Sequence, residues 1–92
     1  MVTQYDHNVF EVVMFQSLKP GDLFVYYGEE DKPDGQYFMC LWNLKEPGLD
    51  NDRKQLIDCQ VLGTLKLGSG KIVNLKHRST NRLFRVKSHA PG

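Results

Sequence analysis

Residues 15–28 read Phe-Gln-Ser-Leu-Lys-Pro-Gly-Asp-Leu-Phe-Val-Tyr-Tyr-Gly, and no other stretch constrains the fold as much. Pro20 fixes φ near the value that the first central position of a tight turn needs, and Gly21 can take the positive φ that follows. Asp22 closes the turn. Leu23 to Tyr27 then run as an unbroken apolar and aromatic strand. A chain that turns this sharply into such a strand is building a sheet.

The rest of the chain repeats that pattern. Residues 9–15 are β-branched and aromatic with poor helical periodicity, so they read as a first strand. Residues 28–35 (Gly-Glu-Glu-Asp-Lys-Pro-Asp-Gly) are too polar to bury and form an exposed acidic loop. Residues 36–44 are the most hydrophobic strand. Alternation places Phe38, Cys40, Trp42 and Leu44 on one face and Tyr37, Met39, Leu41 and Asn43 on the other. Both faces are apolar, so a loop, a terminus or another subunit must cover the second one. Tyr37, Met39 and Leu41 are therefore the candidate interface of a homo-oligomer.

Residues 45–54, with Pro47-Gly48 and Asp50-Asn51-Asp52, read as a long turn-rich connection. Residues 55–67 alternate, Ile57, Cys59 and Val61 against Asp58, Gln60 and Leu62. Gly68-Ser69-Gly70 turns them into a hairpin with residues 72–75. After Ser79-Thr80-Asn81, residues 82–87 form the last strand, expected to point Phe84 and Val86 inward and Leu83, Arg85 and Lys87 outward. The ends, near 1–7 and 88–92, are expected to fray.

Six short strands and no helix signal predict an all-β domain. At 92 residues one domain spans the chain, 1–92, as a single small SH3-like barrel of about five to six antiparallel strands. The family name comes from a resemblance. The Phe-x-x-Leu-x-Pro-Gly-Asp-Leu-Phe opening at residues 15–24, then a tip and an aromatic strand, resembles short SH3-like β-barrel proteins of phages and mobile elements. The resemblance covers about the first half of the chain. It implies a fold and a gene neighbourhood, and it brings no catalytic residue with it.

Charge is the most informative feature beyond the fold. Residues 1–52 hold ten acids against three lysines, and residues 53–92 hold nine bases against Asp58 alone, although the whole chain carries only +1. Lys71, Lys76, Arg78, Arg82, Arg85 and Lys87 fall on what reads as one C-terminal hairpin and its turn. The run His77-Arg78-Ser79-Thr80-Asn81-Arg82 joins cations, hydroxyls and turn amides, a set suited to an anion or to a partner's carboxylates. The plainer expectation is that these cations meet acids of the same chain or of a neighbouring copy.

Catalytic chemistry finds no foothold. Residues 63–71 are glycine-rich, but Ser69 follows Gly68, Ile72 follows Lys71 and a strand begins, which is wrong for a phosphate loop. His7, His77, His89, Cys40 and Cys59 show no ligand spacing, so no metal or other cofactor is expected. Asp58 and Cys59 are successive strand residues and point apart. Cys40 and Cys59 read as reduced core thiols. With no long apolar run and no basic or apolar leader, a cytoplasmic protein without membrane contact is expected. The expected function is a non-enzymatic binding module of a phage or mobile element. It would engage a protein partner or a copy of itself, or sequester an anionic ligand. The alternative is a barrel that binds nucleotide or nucleic acid through the basic C-terminal hairpin.

Overall fold

The Lys19–Asp22 turn forms as its sequence requires. Asp22 N–H donates to Lys19 O at 3.0 Å, Gly21 has φ +96°, and the Asp22 carboxylate accepts from Lys19 N–H at 2.9 Å. The turn is stitched to the next strand through Gly21 N–H to Cys40 O and Cys40 N–H to Asp22 O, both 2.8 Å. In the computed structural model, which describes residues 5–87, this turn feeds one antiparallel sheet. Its strands are β1 (Phe10–Met14), β2 (Leu23–Val25), β3 (Phe38–Asp50), β4 (Gln55–Lys66), β5 (Lys71–Arg78) and β6 (Arg82–Val86). They lie in the order β1-β6-β2-β3-β4-β5, and the sheet does not close on itself. Single 3-10 turns occupy Phe15–Ser17 and Glu29–Asp31, the second at the tip of the exposed acidic loop.

Three expectations about strand extent, alternation and pairing need correction. First, residues 45–50 are strand, and the connection shrinks to residues 51–54. Pro47 is tolerated there because it lies opposite Asp58, whose carbonyl is turned the other way, accepting Ser79 N–H at 3.0 Å. That pair exchanges no main-chain bonds, so the missing N–H costs the ladder nothing. Second, β3 carries a bulge. Cys40 pairs with Thr64 and Trp42 with Gly63, which leaves Leu41 without a partner. One inserted residue reverses the alternation beyond it, so Asn43 turns into the core and Trp42 and Leu44 turn out. Third, β5 and β6 are not a hairpin. They follow each other in sequence but stand four places apart in the sheet, with β2, β3 and β4 between them.

Both faces of the sheet hold a core. The inner face packs Phe15, Leu18, Phe24, Phe38, Cys40, Leu62 and Leu83. The outer face packs Phe10, Val25 and Phe84, with Tyr5, Val9, Tyr37 and Val86 against them. Leu83, expected to point outward, is fully buried in the inner core, because β6 runs between β1 and β2 and is covered on both sides. Of the N-terminal residues expected to fray, 5–7 are held. Tyr5 packs on Phe84 with ring centroids 4.7 Å apart, and Asp6 O accepts from Val9 and Phe10 N–H. Residues 1–4 and 88–92, with His89, lie outside the described residues.

A buried polar chain ties the inner core together. Ser79 Oγ donates to Gln60 Oε1 at 2.6 Å, Gln60 Nε2 donates to Asn43 Oδ1 at 2.7 Å, and Asn43 Nδ2 donates to the carbonyls of Phe15 and Leu18 at 2.9 Å. It joins the β5–β6 turn, two strands and the 3-10 turn after β1, and among the described residues every buried side-chain polar atom has a partner.

Candidate interaction surface

The bulge decides what the outer face of β3, β4 and β5 presents. Because Trp42 is turned outward opposite Gly63, its indole lies flat on the glycine, where a Cβ would come within 2.3 Å of the ring. Gly63 is thus the slot that seats Trp42. The next row places Leu44 beside Val61 and Val61 beside Lys76. Toward the β4–β5 turn, Leu65 stands beside Ile72. Leu44 is 60% exposed and Ile72 64%, with Trp42 also exposed beside its slot. β3 and β5 therefore carry large apolar side chains in water on one face, with half-buried Val61 and Leu65 of β4 between them. Leu49 and Leu56, directly opposite each other near the tip of the β3–β4 hairpin, are exposed as well.

At the far end of this face lies an open cleft of about 530 Å³, lined by Gly48, Asp50, Ile57, Cys59, Lys76 and Arg78 among others. The Cys59 sulfur fits over Gly48, where a Cβ would come within 2.4 Å of it. Arg78 Nη2 donates to Asp50 Oδ2 at 2.7 Å, and this bond from Arg78 holds the Asp50 carboxyl below its usual pKa. Lys76 Nζ reaches Pro47 O at 3.4 Å. Arg78, the guanidinium of the cleft, is thus occupied by the protein's own acid.

The inner side of β5 is structural. His77 stacks on Phe15 at 4.3 Å between centroids, and its Nε2 lies 3.0 Å from the Tyr26 hydroxyl. Burial lowers the His77 pKa and pushes that of Tyr26 up to about 12. Neutral rings close the core beneath the edge strand. Burial also raises the Cys40 pKa, with Asp22 adding to it, and both cysteines are buried and unbridged. Among the described residues no three carboxylate, thiol or imidazole side chains converge, and no helix is long and apolar enough to cross a membrane. Comparison with protein-family models, with curated proteins and with solved structures gives no match.

The six basic candidates do not gather. Lys71, Lys76 and Arg78 lie on β5 and Arg82 and Arg85 on β6, with Lys87 just beyond it, across the sheet. Arg85 pairs with Glu11 and, at 3.6 Å, with Asp22, while Arg78 pairs with Asp50. The split in charge along the sequence is thus bridged by pairs between the two halves, through Glu11, Asp22 and Asp50 rather than through the acidic tip. Two of the turn amides are committed too, Ser79 N–H to Asp58 O and Asn81 N–H to Arg78 O. Of the apolar candidates, Tyr37 is half-buried, its ring 6.4 Å from that of Phe10, and Met39 and Leu41 are half-buried. Sequence reasoning missed Trp42, Leu44 and Ile72 as exposed groups. The signal for the first two was the bulge, which nothing in the local sequence marks.

Proposed function

We propose that the chain is a non-enzymatic protein-interaction module, and that the outer face of β3, β4 and β5 is its binding surface. The observation that supports this most is the exposure of Trp42 and Leu44 on β3 and of Ile72 on β5, with Val61 and Leu65 of β4 joining them on the same face. A contiguous apolar face rimmed by polar groups marks a contact site more often than chance exposure does. Lys76 and Arg78 supply that rim on one side, and Glu46 on the other.

The finer fold we propose is an SH3-like barrel with one seam open. In its favour, β2, β3, β4 and β5 form a meander, and β6 returns beside β2, the strand order of that fold, with β1 added at the edge. A role as an accessory protein of a phage or mobile element, acting on a host protein in the cytoplasm, fits the resemblance carried by residues 15–27.

The test is affinity capture from the cells that make the protein, using the wild type and a Trp42→Ser, Leu44→Ser double variant of unchanged circular dichroism. Sedimentation over a concentration series separates a second copy from a different partner. A protein retained by the wild type and lost by the variant, or self-association lost in the same way, is the expected result. Equal retention by both chains, or salt-released nucleic acid as the bound species, overturns the proposal and promotes a nucleic-acid-binding barrel.

A further inference from the structure

β5 is an edge strand, and its free side is open to another strand. The Ser79 N–H to Asp58 O bond and the β4–β5 register show which residues turn their main chain toward β4. They are Lys71, Val73, Leu75 and His77. Ile72, Asn74 and Lys76 therefore aim N–H and C=O outward. Among the described residues none of these three has a main-chain partner.

The other free edges are poorer acceptors. The far part of β3 carries Pro47, which lacks a donor on its open side, and β1 is only five residues long. β5 spans eight residues without proline or bulge.

Charge names the guest. β5 (Lys-Ile-Val-Asn-Leu-Lys-His-Arg) carries Lys71, Lys76 and Arg78 and no carboxylate. Lys71 stands directly opposite Lys66 on β4, an unfavourable like-charge pair. Among the described residues neither of these lysines nor Lys76 has a carboxylate partner. A second copy of β5 would bring the same cations to the seam, whereas an acidic strand would neutralise them.

We propose that β5 takes an acidic, extended segment of a partner protein as an added strand. The guest's main chain bonds to Ile72, Asn74 and Lys76, its carboxylates meet Lys71 and Lys76, and an apolar side chain covers Ile72. Main-chain bonds would then supply affinity, and side-chain charge the choice of partner. The proposal rests on the protein-interaction reading and specifies the partner's chemistry and its mode of docking.

The probe is an acetylated eight-residue peptide with glutamate at its second and seventh positions, valine at its sixth and threonine elsewhere. An antiparallel guest then sets glutamate opposite Lys76 and Lys71, which point to opposite faces, and valine opposite Ile72. The peptide is titrated into the full chain with amide hydrogen exchange as readout. The amides of Ile72, Asn74 and Lys76 are expected to slow by about tenfold or more on saturation. Asn74→Pro removes only an outward-facing donor, and it should weaken the peptide by about tenfold or more while leaving the fold intact. Lys71→Glu with Lys76→Glu should reject the glutamate peptide and accept instead its counterpart with lysine at the second and seventh positions. Unprotected edge amides, equal affinity of the proline variant, or wild-type preference for the lysine peptide or for duplex DNA overturns strand addition. If the peptide fails while a Trp42-dependent partner is still captured, only the docking mode falls. If both fail, the interaction reading falls with it.

Discussion

The outer face of this sheet has two halves with opposite fates. Over β1, β6 and β2 the chain covers most of its own apolar surface, with Val12 on the edge strand β1 left exposed. Tyr5 and Tyr27 lie on Phe84, with centroids 4.7 and 4.4 Å away, and Phe10 reaches from Phe84 to Tyr37. Over β3, β4 and β5 no described segment returns to cover Trp42, Leu44 and Ile72. The residue types in the two halves are alike, so hydrophobicity does not distinguish them. What does is connectivity: the N-terminal segment and the residues after β2 pass over one half, and no described segment passes over the other.

The largest test of that contrast is in the covered half. Phe84→Ala should lower unfolding free energy in urea by about 3–5 kcal/mol, because the ring is fully buried under three aromatic neighbours. A small loss there would mean that the cover is loose and the two halves are alike. Next comes the residue that the bulge turns inward. Asn43→Leu should cost about 2–3 kcal/mol, since the Phe15 and Leu18 carbonyls and the Gln60 amide each lose a bond. Gly63→Ala should cost about 1–3 kcal/mol by driving a methyl into the Trp42 ring, and a second change, Trp42→Ala, should recover most of it. An additive pair would show that the indole does not rest on the glycine in solution.

A smaller effect follows from His77. Its pKa is lowered in the fold, so below the ordinary histidine value of about 6.5 the unfolded chain binds more protons than the folded one. Stability should be flat just above that pH and should fall as pH drops through 6.5 toward the folded value. Melting temperatures taken from pH 7.5 to 5 should show the decline, and His77→Gln should remove that part of it. Smallest of all, Leu44→Ser in the open half should change stability by no more than about 0.5 kcal/mol. A loss comparable to that of Phe84→Ala would mean that Leu44 is buried in solution.

The turn, the strands and the acidic tip were legible in the sequence because each is local. Pro20-Gly21-Asp22 is sufficient for its turn, and Gly68-Ser69-Gly70 for the β4–β5 connection. The misreadings were all relational. Whether residues 45–50 continue a strand depends on Pro47 meeting a partner that needs no donor. The outward turn of Trp42 depends on one unpaired residue, Leu41, and the burial of Leu83 on β6 leaving β5 to enter between β1 and β2. The basic candidates shared a sequence region without sharing a surface, for that same topological reason.

The central claim is that the open half of the outer face is a contact surface. A photo-reactive phenylalanine analogue placed singly at positions 44 and 72, and at 12 and 29 as exposed controls, tests it in the cells that make the protein. Irradiation should give a discrete adduct of one size from positions 44 and 72 and none from 12 or 29. Adducts from the controls alone, or none from 44 and 72 while the protein remains folded and bound to its captured partner, would contradict the account.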